Sequence, residues 1–421
     1  MYDDGVLLRR GIEERYRGTV AARRVTIVTG PRQAGKTTLV RGQLSAAATM
    51  LSLDEQGVLD AALNDPAGFA ALGGRPLVID EVQRGGEPLV RAIKAQVDRD
   101  SSPGQFVLTG SSNFLTIPTI SESLAGRAGF VEVWPFTQGE LVGVTDRFVD
   151  VVFTGVAGLA EYRPSGIARS ELLERVCAGG YPEVHELPVG QRPGWFRDYV
   201  RTTIERDVVE MSGIRKVAEM GQLLRLLAAR SSCELVMTSL IDDSALERQA
   251  VYDHRGWLET IHLVTTLPAW SRNLTRRVKR RPKIFLTDPG LAAWLMGKTP
   301  AALESPTDPA TGALVETFVF AELRRQLTWS ETEAALFHWQ DRAGAEIDFV
   351  LESADGRVVA LEVKAGQTPK REWFRWLERM RDTLGDSFIA GVVLYGGQHV
   401  LPFGDRLMAV PISALWESAL Q

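Results

Sequence analysis

Three apolar runs organise the first third of the chain. Residues 24–29 (RVTIVT), 76–79 (PLVI) and 105–108 (QFVL) are continuously hydrophobic or β-branched, without the alternation of a half-exposed strand. They predict strands buried on both faces. Helical patterns such as LVRAIKAQVDRD lie between them, and strand–helix alternation of this kind predicts an α/β fold with a parallel sheet. After residue 141 the pattern turns helical, with a turn at GGYP (179–182) and a long amphipathic run through WFRDYVRTTIERDVVE, read as a helical lid. Helical segments at 219–230, 238–246 and 247–264, then a basic stretch and the short strand KIFL, predict a winged helix. Pro300, Pro306 and Pro309 mark a linker. Beyond it come a helix (314–326), EIDFVLE, a turn at ADG, VVALEVK, a helix around 372–384 and FIAGVVLYGG, which together predict a separate α/β domain. The expected division is 1–145, 146–215, 216–298, 299–312 and 313–421.

Composition narrows the class. The 421 residues are 45% hydrophobic and 24% charged, ordinary for a multidomain globular chain. The 48 Lys and Arg against 53 Asp and Glu leave a net charge of −5, so any affinity for nucleic acid has to come from a local basic patch. Two cysteines, Cys177 and Cys233, and five histidines without ligand spacing exclude a disulfide framework and a structural zinc site. MYDDGVLLRR lacks the form of a secretory signal, and no apolar run approaches the roughly 18 residues needed to span a bilayer. A cytoplasmic protein without membrane association is expected.

The first apolar strand runs directly into Gly30-Pro31-Arg32-Gln33-Ala34-Gly35-Lys36-Thr37-Thr38, which fits GxxxxGK[ST] between a strand and a helix. Gly30 and Gly35 let backbone N–H groups curl around phosphates, Lys36 reaches the β- and γ-oxygens, and the Thr37 hydroxyl ligates Mg²⁺. Asp80 at the second strand end is the matching Mg²⁺ ligand, and Glu81 the residue that orients and activates water. ATP and Mg²⁺ are the expected cofactors. Asn113, shortly after the third strand, is a candidate γ-phosphate sensor or simply a polar loop residue. Arg127 precedes a further apolar strand and is either an arginine finger for a neighbouring subunit or a solvated surface arginine.

Seven cations fall within residues 272–283 with no acid among them: Arg272, Arg276, Arg277, Lys279, Arg280, Arg281 and Lys283. The preceding helix carries Arg248 and Arg255. A recognition helix with a basic wing would put these on a DNA groove and its phosphates. The alternative is a wing that packs on the ATPase sheet and senses its state. In the last segment, Asp348, Glu362 and Lys364 end neighbouring strands, and Glu316 lies on the preceding helix, with Glu322 a second candidate there. Such oxygen donors suit one or two Mg²⁺ or Mn²⁺ ions, with Lys364 orienting water. The alternative is a structural carboxylate–lysine pair in a degenerate nuclease fold.

Taken in order, GPRQAGKTTL, LVIDEVQ, LTGSSN, SLAGRA, VWPFTQGEL, GGYPEV, RRPKIFLTDPGLAAWL and EIDFVLE…LEVK resemble the prokaryotic AAA ATPases with a C-terminal domain of unknown function built on a restriction-endonuclease-like core. The resemblance implies an AAA+ P-loop core, helical lid, winged helix and nuclease-like domain. It carries residues 30–37, Asp80, Glu81 and Arg127 onto ATP chemistry. The set Asp348, Glu362, Lys364 and Glu316 is similar to that of archaeal Holliday-junction resolvases. The leading expectation is a homo-oligomeric, hexameric ring that moves or remodels duplex or branched DNA with ATP. An ATP-gated endonuclease and a monomeric switch that binds a protein partner are the alternatives, the last suggested by the likeness of GGYPEV to the lid of signal-transducing ATPases.

Overall fold

The computed structural model describes residues 2–3, 6–110, 124–161, 166–205, 217–305, 307–341 and 343–417. These form two compact units, one of residues 12–135 with 260–262, the other of 1–11, 136–259 and 263–421.

In the first unit, five strands make one parallel sheet: β1 (Val25–Thr29), β2 (Thr49–Ser52), β3 (Leu77–Asp80), β4 (Phe106–Thr109) and β5 (Ala128–Glu132), in the order β2-β3-β4-β1-β5. The uninterrupted apolar runs have their physical reason here. All five residues of β1 are buried, as are all four of β4, because helices cover both faces of a central parallel strand. Helix α1 (Lys36–Gly42) follows β1, and helix α2 (Gly86–Arg99) buries Leu89, Val90, Ile93 and Val97 along one face. Every strand therefore ends at the same edge, where the loops after β1, β3 and β4 converge.

The second unit holds helices α3 (Val217–Ala229), α4 (Met237–Ser244) and α5 (Arg248–Thr260), then an antiparallel pair, β6 (Val264–Leu267) and β7 (Lys283–Leu286). Helix α5 stops four residues short of the expected end. His262 has φ +60, and the β-branched run Val264-Thr265-Thr266 then pairs as a strand. The basic stretch lies in the connection between β6 and β7 and is partly helical, at Leu274–Lys279. Helix α6 is Pro289–Leu295 and helix α7 is Ala310–Gln326. The segment read as a linker contains a short helix, Pro300–Leu303, and is tied down by Lys298–Asp308 (2.7 Å) and by Thr311 Oγ1 donating to the Leu303 carbonyl (3.1 Å).

A six-stranded mixed sheet completes this unit: β8 (Ala334–Gln340), β9 (Glu346–Ser353), β10 (Val358–Lys364), β11 (Phe388–Tyr395), β12 (Leu401–Gly404) and β13 (Leu407–Pro411), ordered β8-β9-β10-β11-β13-β12. β8, β9 and β10 are antiparallel; β10 and β11 are parallel. The crossover that joins that parallel pair is helix α8 (Arg375–Leu384), whose Leu377, Met380 and Leu384 recur at helical spacing and are buried. Among the described residues no helix is long and apolar enough to cross a membrane.

A buried ionic network ties these segments together. Arg325 on α7 donates to Asp288 Oδ2 (3.1 Å) and to the Phe136 carbonyl (2.6 Å) and lies 3.4 Å from Glu322 Oε1. Asp288 also accepts from the backbone N–H of Gly180, Gly290 and Leu291, and so caps α6. Glu322 Oε2 accepts from Gln138 N (3.0 Å). Gly179, at φ +69, is needed because a Cβ there would fall 2.1 Å from Asp288 Oδ1. Burial pushes the Glu322 carboxyl up to about 7, with Arg325 opposing that shift. Asp288→Ala removes one of the two carboxylates that face Arg325 and leaves three N–H groups unsatisfied. A loss of roughly 3–5 kcal/mol is expected, read as a fall in the urea midpoint of this unit's transition, with Asp288→Asn losing less.

Candidate functional site

The loop between β1 and α1 takes its shape from close packing. Gly30 has φ +140, and a Cβ on it would lie 2.0 Å from the Val133 carbonyl oxygen. Pro31 and Ala34 are buried, Arg32 is half-buried, and Gln33 and Thr38 are exposed, with Gln33 in the left-handed region at φ +58. Lys36 is buried, and its ammonium donates to the carbonyls of Gly30 (2.9 Å) and Pro31 (2.7 Å), across the concavity that the loop makes. Successive N–H groups in such a loop form an anion cradle.

Asp80, at the end of β3, faces that loop. Thr37 Oγ1 lies 3.4 Å from each Asp80 carboxylate oxygen, and Thr109 Oγ1, at the end of β4, donates to Asp80 Oδ1. Thr37 and Asp80 together are the hard oxygen donors that Mg²⁺ takes beside a nucleotide phosphate, and their approach fits that ion. Glu81 follows at φ +55, an uncommon conformation for a residue with a Cβ, and its carboxylate accepts from Gln83 Nε2. Thr109 was not singled out in the sequence; its signal was the polar residue closing an apolar strand between the two motif strands. Asn113 lies outside the described residues.

Arg127 pairs with Asp98 on α2 through both Nε and Nη2, and Nη1 donates to the Ala125 carbonyl (3.1 Å). The hydrogen bond from Arg127 holds the Asp98 carboxyl below its ordinary range. The parallel register Val25↔Ala128 to Thr29↔Glu132 sets Arg127 at the start of β5, the edge opposite the phosphate loop. Five residues of strand separate the two edges, roughly 16 Å, so Arg127 does not reach this chain's own phosphate loop.

The expected DNA-facing cations divide into groups. Arg248, Arg272 and Arg281 are exposed. Arg255 is paired with Glu259 (2.8 Å). Arg277 makes a two-pronged bond to Glu352 on β9 (2.7 Å each) and lies over the Phe337 ring (4.8 Å), while Arg280 donates to the Gln340 carbonyl. These two dock the connection on the mixed sheet, so the expectation of free phosphate contacts is corrected for them. The side chains of Arg276 and Lys279 are not among those the structure describes.

Lys283 is the larger correction. The basic-wing reading puts it among the DNA-contacting cations, yet it is 1% exposed, and its ammonium lies 2.7 Å from Glu316 Oε1, 2.5 Å from Glu346 Oε1 and 3.5 Å from Asp348 Oδ1. Burial alone would lower its pKa; the three carboxylates outweigh that and raise it. Asp348 Oδ2 accepts from Val363 N (2.8 Å), and Lys364 donates to Glu362 Oε1 (2.6 Å). Burial, and after it the charge of Asp348, pushes the Glu316 and Glu362 carboxyls each up to about 8. The residues Glu316, Asp348, Glu362 and Lys364 thus do converge, with Glu346 and Lys283 added. Glu322 does not join them, being held in the Arg325 network.

An acid at a strand end held by two hydroxyls, beside a glycine-bounded lysine loop, defines a P-loop ATPase, and residues 22–142 match the AAA domain. Residues 169–302 match the domain of unknown function DUF8612, and residues 311–415 match the domain of unknown function DUF4143. The chain belongs to the family of the uncharacterized proteins Rv2008c of Mycobacterium tuberculosis and Mb2031c of Mycobacterium bovis, to each of which it is 30% identical over 415 residues, 96% of this chain and 83% of theirs. Solved structures similar to it include the Walker-type ATPase PABY2304 of Pyrococcus abyssi (17% identity, TM-score 0.42, 69% of this chain and 96% of that one) and RuvB of Thermotoga maritima (16%, 0.27, 64% and 93%).

Thr109→Val keeps the shape and removes one hydrogen bond to a charged acceptor. ATP turnover is expected to fall roughly ten- to a hundredfold, with Thr109→Ser close to wild type, as measured by steady-state phosphate release at saturating Mg²⁺. Glu81→Gln is expected to abolish turnover while equilibrium binding of fluorescent ATP persists; lost binding would mean that Glu81 has a structural task instead.

Proposed function

We propose that this chain is an ATP-hydrolysing AAA+ machine that assembles into a ring and moves or remodels duplex or branched DNA. The observation that carries the reading is Asp80 held by Thr37 and Thr109 beside the phosphate loop. In the nucleotide-bound enzyme Lys36 exchanges the Gly30 and Pro31 carbonyls for phosphate oxygens, and the loop N–H groups take the remaining charge. Thr37 and Asp80 would hold Mg²⁺, which would supply neutralisation of the phosphate charge. Glu81 accepts the proton of the attacking water and aligns it.

The finger reading of Arg127 is supported by its distance from its own loop and by Phe130, 53% exposed on the same edge strand. In that reading the Arg127–Asp98 pair opens when a second subunit docks and presents its nucleotide. Lys36→Ala and Arg127→Ala are then each inactive alone, and mixing the two recovers turnover. A mixture no faster than its parts would place Arg127 outside the reaction.

DNA engagement rests on the exposed Arg248, Arg272 and Arg281, at the start of α5 and in the β6–β7 connection. The test is ATP turnover with and without duplex, forked and four-way DNA. Stimulation is expected, and changing all three arginines to alanine should lower the slope of log affinity against log salt by roughly 2.7, the value for three lost phosphate contacts. No stimulation by any of the three DNA forms overturns the DNA reading. The docking of Arg277 and Arg280 on the mixed sheet favours a second reading, a nucleotide-dependent switch that binds a protein partner. In it, Arg127→Ala turns over ATP as wild type does and no ring forms by mass measurement.

A further inference from the structure

We infer that Lys283 is the built-in cation of the Glu316–Glu346–Asp348 cluster, standing where a divalent ion would bind, so that the C-terminal domain holds no catalytic metal and does not cut DNA there. The inference is independent of the ring and DNA readings above and stands or falls without them.

The carboxylates that a nuclease would offer to Mg²⁺ are already engaged from inside the protein. Lys283 takes one oxygen each of Glu316 and Glu346 and lies near the first oxygen of Asp348. The second oxygen of Asp348 accepts from Val363 N, and Glu362 accepts from Lys364. A Mg²⁺ or Mn²⁺ ion needs several such oxygens at about 2.0–2.2 Å in near-octahedral array. An ammonium and a divalent ion cannot share them, since two positive charges about 3 Å apart repel strongly in a buried site. Consistently, among the described residues no group of three or more His, Cys, Asp and Glu side chains is arranged to hold a metal ion. The donors do not fit a metal while the ammonium is in place.

The neighbours of Lys283 argue that it stays. It opens β7, where it pairs with Leu267 of β6 and bridges to Glu234, and the Leu235 N–H bonds the Pro282 carbonyl (2.8 Å). Two residues on, Phe285 is fully buried and stacks on Phe320 of α7 with ring centroids 4.1 Å apart. The strand is thereby fixed, and with Lys283 itself 1% exposed, swinging its side chain out of the cluster would either bury the ammonium away from its carboxylates or displace packed neighbours. Lys283 is therefore a permanent occupant, joining β7, α7 and β9 through charge, and the carboxylates survive as its ligands.

The decisive experiment measures Mn²⁺ binding by electron paramagnetic resonance on the nucleotide-free full chain, comparing wild type with Asp348→Asn, Lys283→Met and the double variant. Mn²⁺ at the phosphate loop contributes equally to all four and cancels. Wild type and Asp348→Asn should bind the same amount. Lys283→Met should gain a Mn²⁺ site that the double variant lacks, and its melting temperature, lowered in EDTA, should rise when Mn²⁺ is added. Should Lys283→Met not fold in EDTA, it is refolded in Mn²⁺; recovery supports the substitution of one cation by another, and failure to recover counts against it. Mn²⁺ bound by wild type and lost in Asp348→Asn overturns the inference, as do Mn²⁺-dependent DNA nicks by wild type that vanish in Glu362→Ala.

Discussion

Arg325 is the residue on which the larger unit turns. Burying a guanidinium is unfavourable by several kcal/mol unless it is paired and hydrogen-bonded, and Arg325 directs bonds to Asp288, Glu322 and the Phe136 carbonyl, from segments nearly two hundred residues apart in the chain. The acceptors are in turn held by backbone N–H groups of Gln138, Gly180, Gly290 and Leu291. This accounts for three sequence motifs at once. The VWPFTQGEL, GGYPEV and LTDPGLAAWL segments supply the partners of one buried charge; in the second, Gly179 leaves room for the Asp288 carboxylate and Gly180 for the Phe136 carbonyl and the Arg325 guanidinium. These motifs, which carry the family resemblance, are the parts of a joint, so their chemistry speaks for the fold.

Two acidic sites in the same chain illustrate how a carboxylate is prepared for metal or against it. Asp80 is half-buried, and the hydroxyls of Thr37 and Thr109 are oriented on it without neutralising its charge. A hydroxyl can rotate and become a ligand itself, so the site keeps its appetite for a cation. Asp348, Glu316 and Glu346 face a fixed ammonium on a buried strand. An ammonium has no lone pair to offer a metal, and this one is enclosed, with Lys283 only 1% exposed. The residue types around the acids, more than the acids themselves, decide which site takes Mg²⁺.

The nucleotide domain was legible because its signals are local. Apolar runs of four to six residues, each closed by a specific polar group, encode strand, loop and helix within a few positions; Thr37 lies 3.4 Å from Asp80, and Lys36 folds back over the loop carbonyls of Gly30 and Pro31. The carboxylate cluster was legible in part, since the β9–β10 hairpin brings Asp348 near Glu362 by register alone. Lys283 was not, because its role depends on contacts with residues 33 to 65 positions away, and a run of cations carries no mark of which member turns inward. Helix α5 was drawn too long for a related reason: the apolar spacing of Ile261, Leu263 and Val264 serves a helix face as well as a strand, and only the left-handed turn at His262 separates them. Thr109 was overlooked because a threonine after a strand is ordinary until Asp80 is seen across from it.

The redistribution of the basic stretch changes the electrostatics expected of the whole chain. Of its seven cations, Arg277 is neutralised by Glu352 and Lys283 is enclosed by three carboxylates, while Arg280 is docked on the neutral Gln340 carbonyl and keeps its charge. A paired or enclosed cation contributes little field at a distance, because its partner cancels it within a few ångströms and salt screens the remainder beyond about 8 Å. With a net charge of −5, long-range attraction to a polyanion is then weak, and contact has to be made by a few exposed arginines acting at close range. Such an interface gains from being repeated. Several subunits around one duplex would multiply contacts that are individually slight, since each further contact in an assembled ring is intramolecular. In the proposed reading, ring formation and nucleic-acid binding become one requirement: a monomer with this charge distribution would hold DNA poorly, whereas an oligomer would present the same arginines at high effective concentration.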